Sequence, residues 1–285
     1  MAAFALVAHR VSPTNTRLGP ILSPGQALAR LRPGDIALGR LDVLETLDGI
    51  EPGLWALDRL AASGVHVRNG RATLLAAHDK LATARALGLF GVPHPTTVHI
   101  GPGLPPPDLP LPIVLKPRFG SWGRDVVRCD DESSVRRALQ VFGQRAWYQA
   151  TGALAQELIP SQGHDLRIVV ARGHVVGAVR RVARAGEWRT NVALGARREP
   201  VIPPRAACET AIAAAAAIDG DLVGVDLLPD GLGSWVVLEV NGAVDFTNAY
   251  SLGPDIYSSV IDHLGVVEEA PAGFTAEAAG LDVLA

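Results

Sequence analysis

Short apolar runs separated by turns recur along this 285-residue chain, which contains 30 glycines and 21 prolines. In the N-terminal part, runs that predict strands alternate with runs that predict helices. Strands are predicted at Phe4–Ala8, Asp35–Leu38 and Val65–Val67, and helices at Pro24–Leu31 and Pro52–Ser63. This alternation favours a layered α/β fold, because each apolar face needs a covering layer.

The rest of the chain adds further elements and one stiff connector, Gly101–Pro112, which holds six prolines. The turn at Pro229–Gly231 predicts a hairpin between Val223–Leu228 and Trp235–Val240. Beyond about Gly265 the composition thins to alanine, glutamate and glycine, which predicts a loose tail. The other predicted elements are helices at His78–Gly88, Asp131–Phe142, Ala206–Ile218 and Ile256–Leu264, and strands at Ile113–Lys116, Val126–Arg128, Leu154–Ile159, Leu166–Val170 and Val175–Arg181.

Composition excludes several classes of protein. With 48% hydrophobic and 19% charged residues the chain has enough apolar material for a core, which rules out wholesale disorder. A net charge of −3 and a pI near 6.2 argue against a basic nucleic-acid binder. The chain shows no targeting signal and no apolar run long enough to span a membrane, and its two cysteines are far apart. We therefore expect a cytoplasmic protein.

Lysine is almost absent from this arginine-rich chain. Only Lys80 and Lys116 are lysines among the 26 basic residues. A preference for arginine elsewhere reflects coding bias, but a compact ammonium suits a phosphate oxygen better than a planar guanidinium does. The two lysines are therefore candidate phosphate ligands, with chance retention as the alternative.

A glycine-containing loop, KPRFGSWGR, follows the strand that ends at Lys116. Gly120 and Gly123 let the backbone turn tightly and bring its N–H groups close to an anion, while Trp122 can cover a ligand. The loop is neither a Walker A motif nor a Rossmann fingerprint. A purely structural glycine hairpin is the alternative.

The predicted hairpin carries two carboxylates and an amide on one face. Glu239 and Asn241 are two residues apart on one strand, and Asp226 comes roughly opposite them on its partner. Two carboxylates on a half-buried patch repel each other unless a cation neutralises them. Hard oxygen ligands favour Mg²⁺, although an exposed hairpin face remains the alternative.

Residues 165–205 hold nine arginines against three acidic residues, a local charge of +6. Arginines such as Arg167 and Arg189, the latter in an Arg-Thr-Asn run ending at Asn191, can stabilise a phosphoryl group or clamp a carboxylate. A solvated loop is the plainer reading. Upstream, the strand through Gln156, Glu157 and Ile159 ends at a proline, and such an edge can offer backbone groups to a purine.

In their order along the chain these motifs resemble the ATP-grasp superfamily, and within it the RimK-like ligases. The resemblance implies a small N-terminal α/β domain at 1–77, two ATP-grasp subdomains at 78–153 and 154–267 that clamp ATP, and a loose tail at 268–285. The matching motifs are His78-Asp79-Lys80, KPRFGSWGRDVV, QELI, HDLRIVV, WRTN, GVDLL and LEVN.

The resemblance also implies an activity and residue roles. Such ligases phosphorylate a carboxylate with ATP, and an amine then attacks the acyl phosphate to form an amide. ATP with Mg²⁺, two ions, is implied, with Mn²⁺ as a substitute. Implied roles are ATP binding for Lys80, Lys116, Gly120, Ser121, Trp122, Gly123, Gln156, Glu157, Ile159 and Asp165, metal binding for Asp226, Glu239 and Asn241, and catalysis for Arg167, Arg189 and Asn191.

The segment NGAVDFTN after the metal motif is similar to that of LysX-like enzymes, which attach an amino acid to a carrier-protein carboxylate. Asp245 and Asn248 are then candidate ligands of a substrate ammonium group, although LysX-like enzymes usually carry Glu at the first position. RimK-like enzymes often have Gly-Gly where this chain has Gly195-Ala196. We expect a glutamate-like amino acid as the amine, because the arginine-rich segment suits a second carboxylate.

Expected partners are the amino-acid and carboxylate substrates, the latter on a small acidic carrier protein, a peptide or a small molecule. We also expect a homo-oligomer, a dimer or tetramer, and no membrane association. Two other classes are considered. A non-catalytic nucleotide-binding ATP-grasp module would not need the full metal triad, and a nucleic-acid binder using residues 165–205 would leave that triad unexplained.

Overall fold

Three β-sheets, each made by one stretch of the chain, form the framework of the protein. The computed structural model describes residues 2–41, 53–104, 108–120 and 122–266, and the backbone of 282–283. In this part of the chain no helix combines the length and the apolarity needed to cross a membrane.

The first sheet is parallel and belongs to the N-terminal stretch, with strand order β3-β1-β4-β5. Its α2 helix begins with a capping box in which Ser23 and Gln26 satisfy each other's backbone N–H groups. Here the strands are β1 (Phe4–Val7), β2 (Arg10–Val11), β3 (Ile21–Leu22), β4 (Ile36–Gly39) and β5 (His66–Arg68), and the helices are α1 (Pro13–Leu18), α2 (Pro24–Arg30), α3 (Leu54–Ala62) and α4 (Arg71–His78).

The second sheet is antiparallel, with strand order β6-β9-β7-β8. Its elements are α5 (Lys80–Leu89), β6 (Thr97–Ile100), β7 (Ile113–Pro117), β8 (Val127–Cys129), α6 (Glu132–Phe142), α7 (Ala146–Thr151) and β9 (Ala153–Glu157). The boundary expected between 153 and 154 falls inside β9, whose residues pair with β6 and β7. A division of the chain by sheets would therefore come after Glu157.

The third sheet is antiparallel, with strand order β12-β11-β10-β13-β14. Its elements are β10 (His164–Ala171), β11 (His174–Val182), β12 (Arg197–Pro200), α8 (Arg205–Ala217), β13 (Leu222–Pro229), β14 (Trp235–Asn241) and α9 (Ile256–Leu264), with 3₁₀ turns at Val192–Leu194 and Asn248–Tyr250. Both faces of this sheet are covered. The alanine-rich α8 packs on one face, and α9 and the first sheet pack on the other.

The α/β class predicted from the sequence is confirmed, and so is the hairpin of β13 and β14. The Asp230 carboxylate accepts hydrogen bonds from the N–H groups of Leu232 and Ser234, 2.8 and 2.9 Å away, which fixes the turn. Short or polar elements were missed, namely β2, α1, β3, α4, β6, α7 and β12. The edge strand β12 carries Arg, Arg, Glu and Pro, so it shows none of the apolar alternation that identifies a strand.

Three predicted segments touch residues outside the described part of the chain, which include 105–107 within the connector expected at Gly101–Pro112. Pro52, where a helix was expected to begin, is another such residue, and α3 begins at Leu54. The expected tail at 268–285 also lies outside it, apart from β15 (Asp282–Val283), which pairs with β2.

Candidate functional site

Two adjoining clefts lie where the sheets meet. The first cleft, which contains Lys116 and Asp226, opens between the second and third sheets and measures about 980 Å³ with its mouth. The second cleft, which contains Arg40 and Asp245, measures about 2520 Å³ and also takes residues from the N-terminal stretch.

Most of the predicted site residues line these clefts. Those in the first cleft are Lys80, Lys116, Gly120, Trp122, Gly123, Gln156, Glu157, Ile159, Asp165, Arg189, Asn191, Asp226 and Glu239. The second cleft contains Arg167, Asn241 and Asp245, and shares Gly120, Trp122, Asn191 and Glu239 with the first. Ser121 lies outside the described residues. Asn248 lines neither cleft, because it is exposed and its side-chain oxygen accepts the N–H of Ile256 at the start of α9.

The two lysines reach the first cleft from different elements. Lys80 begins α5, and its Nζ donates to the Gly120 carbonyl at 2.5 Å and lies 3.6 Å from a Glu239 oxygen. Lys116 is buried on β7, and burial, with the charge of Lys80, lowers its pKa to about 8 against the opposing effect of Glu239. The two ammonium groups interact electrostatically and give this end of the cleft positive charge, which suits an anion.

The glycine loop contacts the start of α5 and the loop that follows β11. Arg118, at its start, donates to both oxygens of Asp79, at 2.8 and 2.5 Å. Gly123 has a φ of +72°, and a Cβ there would lie 2.7 Å from the Asn191 side-chain oxygen, so the position requires glycine. Trp122 stays 60% exposed with the guanidinium of Arg124 over its ring, between the two clefts.

Arg189 makes contacts that differ from those expected of a group that faces the substrate. Its guanidinium donates to both oxygens of Glu187, at 3.0 and 2.9 Å, and to the Gly123 carbonyl at 3.1 Å. The hydrogen bonds from Arg189 lower the pKa of Glu187 to about 2. Arg189 therefore fastens the glycine loop to the third sheet, and most of its donors are already in use.

A buried chain of alternating charges forms the floor of the first cleft. Arg181 contacts both Asp165 and Asp226, and Arg167 donates to both oxygens of Asp226 at 2.7 Å. Burial raises the pKa of Asp226, but the guanidiniums of Arg167 and Arg181 outweigh it and hold that pKa below its ordinary value. Asp165 also accepts the hydroxyl of Thr190 at 2.5 Å. Asp165 thus orients Arg181 and Thr190, which differs from the nucleotide contact expected of it.

Arg181 was missed by the sequence analysis, although it lines both clefts. A signal was present. Arg180 and Arg181 are adjacent on one strand, so their side chains point to opposite faces. Since the strand is otherwise apolar, one of the two arginines had to lie on a covered face.

The predicted metal triad lies on neighbouring positions of the hairpin. Asp226 pairs with Glu239 and Gly224 with Asn241, so the three side chains share one face. Their oxygens fit Mg²⁺ in type. A carboxylate offers about four lone-pair sites, and the guanidiniums take three of those on Asp226, which leaves one on Oδ1. Within the described residues no group of three His, Cys, Asp or Glu side chains is placed to hold a metal, so this triad depends on the amide.

The strand predicted to offer a free edge to a purine is not an edge. β9 lies between β6 and β7, and the N–H groups of Glu157 and Leu158 donate to Thr96 and Pro112. The chain leaves the sheet only after these residues. Ile159 is therefore the first position whose N–H is used by no described residue.

The second cleft places N-terminal residues beside the hairpin. The buried Arg40, at the end of β4, donates to the carbonyl of Val244 at 2.8 Å and lies 3.5 Å from Asp245. Asp245 also accepts the Ser12 hydroxyl at 3.1 Å, and its side chain remains 67% exposed. The cleft thus joins the first cleft to a wider, solvent-accessible space.

Comparison with known proteins shows which family the chain belongs to. Residues 104–264 match the family described as the RimK-like ATP-grasp domain. The α-aminoadipate–LysW ligase LysX of Sulfurisphaera tokodaii is 29% identical over 63% of this chain and 64% of its own length. A probable α-L-glutamate ligase of Aeromonas salmonicida is 30% identical over 69% and 66%. The matches thus span just under two thirds of these relatives. For the glutamate–LysW ligase ArgX of Sulfolobus acidocaldarius the values are 28% identity over 75% and 78%.

Solved structures agree on the fold. An ATP-grasp RimK domain protein of Sphaerobacter thermophilus aligns over 92% of this chain and 99% of its own, with a TM-score of 0.64 and 22% identity. The D-cycloserine synthetase DcsG aligns over 92% and 100%, with a TM-score of 0.67 and 16% identity. At such identities the likeness concerns the fold alone.

Proposed function

The chain belongs to the RimK-like ATP-grasp family, and from this premise we propose that it is an ATP-dependent ligase that joins a carboxylate to an amine. The observation that carries the proposal is convergence in the first cleft. Lys80, Lys116 and the Asp226–Glu239 pair meet there, and this cleft opens directly into a second one. Cationic groups beside hard oxygen ligands suit a Mg–nucleotide triphosphate.

In this proposal Lys80 and Lys116 bind the α- and β-phosphates, and Gln156, Glu157 and Ile159 line the adenine and ribose pocket. Glu239, Asn241 and Asp226 would hold magnesium, which would supply positive charge to neutralise the phosphates. Arg189 positions the glycine loop, while Arg167 and Asn191, both in the second cleft, orient the acyl group.

The reaction proceeds in two displacements. A carboxylate oxygen attacks the γ-phosphorus and ADP leaves. The amine nitrogen then attacks the acyl carbon, phosphate leaves with the C–O bond electrons, and the nitrogen releases a proton. Pairing within the Asp165–Arg181–Asp226 chain keeps the donors fixed, so little reorganisation accompanies the developing charge.

A glutamate-like amine is part of the proposal, and so is an acceptor carboxylate on a carrier protein, peptide or small molecule. LysX is named for α-aminoadipate and LysW, and ArgX for glutamate and LysW. Both names contain an acidic amino acid, which supports a glutamate-like amine. The number of magnesium ions, Mn²⁺ substitution, the oligomeric state and the cytoplasmic location stay predictions.

The test is ADP release with each amino acid combined with candidate carboxylates, with the product identified by mass spectrometry. Glu239→Gln is the matched control, because it keeps the side-chain shape and removes the charge. We expect it to fold normally and to lose about 10³-fold in turnover. Near wild-type ADP release by this variant at saturating Mg²⁺ would contradict the metal assignment, and wild-type protein that releases no ADP with any pair would contradict the ligase.

A further inference from the structure

Most arginines of residues 165–205 form ion pairs with carboxylates of the same chain. Seven of its nine arginines form an ion pair with a carboxylate, namely Arg167, Arg172, Arg180, Arg181, Arg189, Arg197 and Arg205. The net charge of +6 therefore overstates the positive charge that this segment can offer to a ligand. Arg184 and Arg198 are its two arginines without an ion pair to the described residues.

Of the two, only Arg198 lies in a cleft. It lines the second cleft and is absent from the first, whereas Arg184 lines neither. On β12, Arg198 pairs directly with Arg181 of β11, so the two side chains leave the sheet on the same face. Arg181 contacts Asp226, which places Arg198 one strand further from the predicted metal ligands.

An edge strand often carries charge simply to prevent pairing with another molecule. In β12 that explanation accounts for the opposite face. There Glu199 bonds Arg180 at 2.6 Å and lies 3.5 Å from Arg197, so this face already has a charged cluster. Arg198 lies on the other face, toward the cleft, and edge protection does not require it there.

The second cleft is electropositive. Its arginines are Arg10, Arg40, Arg124, Arg167, Arg181 and Arg198, and its carboxylates are Asp125, Glu239 and Asp245. Each of these three carboxylates already has a basic partner, at 3.7, 3.6 and 3.5 Å respectively. Arg40, Arg167 and Arg181 are likewise paired with carboxylates, whereas Arg124 and Arg198 line the cleft without an ion pair to any described residue. The cleft is therefore suited to a ligand that brings its own negative charge.

We propose that Arg198 is a specificity-determining residue that binds the side-chain carboxylate of the amino-acid substrate. This inference rests on the proposed ligase function. The reacting amine must lie near Asp226 and Glu239, and the α-carboxylate stays close to it. A side-chain carboxylate lies several bonds further out, which matches the position of Arg198 one strand beyond Arg181. A guanidinium binds such a group in a bidentate and selective way.

The experiment compares glutamate with glutamine, a neutral substrate of similar shape, in steady-state ligation by Arg198→Ala, Arg198→Lys and the control Arg184→Ala. In Arg198→Ala we expect the preference for glutamate, as a ratio of kcat/KM values, to fall by about 10-fold or more. The KM for ATP and the melting temperature should not change. Arg198→Lys should recover part of the preference, and Arg184→Ala should match wild type.

The outcomes separate the two proposals. An Arg198→Ala variant that keeps the full glutamate preference overturns the inference and leaves the ligase intact, as does a wild-type enzyme that uses glutamine as well as glutamate. A loss of stability in Arg198→Ala, with equal losses for both amino acids, assigns the residue a structural role and also overturns the inference. Absence of ligation by wild type with every pair removes the proposed function itself.

Discussion

On the floor of the first cleft the charged side chains are buried and bonded to one another, whereas several charged side chains that line the second cleft are exposed. Asp165, Arg181 and Asp226 are each at most 5% exposed and are joined in one chain of ion pairs. In the second cleft Asp245 is 67% exposed, and Arg124 and Arg198 are also exposed.

The difference indicates a division of labour. Groups that must stabilise a developing charge gain from fixed positions in a dry site, because they need no reorganisation during the reaction. The groups proposed to select a substrate, Asp245 and Arg198, lie where substitution costs little, on a loop and an edge strand. The first cleft should therefore tolerate few changes, and the second should change specificity without loss of the fold.

The largest effect is expected from removing one partner of the buried ion-pair chain on the floor of the first cleft. Arg181→Met leaves Asp165 and Asp226 facing each other without the guanidinium between them, and should lower the free energy of unfolding by about 3–5 kcal/mol. Arg198→Ala, as the matched change in the second cleft, should lower it by less than about 0.5 kcal/mol. Urea denaturation of both variants measures the difference, and equal stabilities would remove the distinction between the clefts.

Substitution of Lys116 gives a second test, in which loss of the buried ammonium group should stabilise the protein. Its pKa falls from 10.5 unfolded to about 8 folded, which corresponds to a stability cost of about 3 kcal/mol below pH 8. As the pH rises from 8 toward 10.5, the folded protein loses the proton that the unfolded chain still holds, so this cost disappears. Without metal or nucleotide, Lys116→Met should be more stable than wild type at pH 7, and the gap should narrow by pH 10.

The same lysine links pH to nucleotide binding. ATP binding should take up a proton above pH 8, because the phosphate favours the charged ammonium. Calorimetric titration with a non-hydrolysable ATP analogue in buffers of different ionisation enthalpy measures this uptake. Lys116→Arg keeps the charge but should bind the analogue more weakly, since the planar head does not fit a point-charge site. Unchanged affinity in both Lys116→Arg and Lys80→Arg would contradict the phosphate assignment.

The smallest effect is expected at Asp245. Its carboxylate is exposed and lies 3.5 Å from Arg40, so Asp245→Asn should leave the melting temperature unchanged. If it contacts a substrate ammonium, the KM for the amino acid should rise about two- to five-fold, the usual size for an exposed ion pair. Asn248→Ala is the control, because Asn248 lies outside both clefts, and an equal KM change in both variants would argue against a direct contact.

Local patterns in the sequence were sufficient for much of this site. Glu239 and Asn241 share a face because side chains alternate along a strand, and the Asp230 turn sets the register that brings Asp226 opposite. Lys80 and Lys116 were identified by their rarity. Each of these inferences needed only neighbouring residues or composition.

The remaining features depend on strand order, which no local pattern contains. The order β12-β11-β10-β13-β14 brings Asp165, Arg181 and Asp226 together from three strands and places Arg198 beside them. It was likewise the pairing of β9 between β6 and β7 that used the backbone groups expected to bind a purine. The alternation of side chains along each strand fixed which charged residues share a face. Only long-range pairing, through burial and ion-pair formation between distant strands, decided which charges neutralise each other and which remain for a ligand.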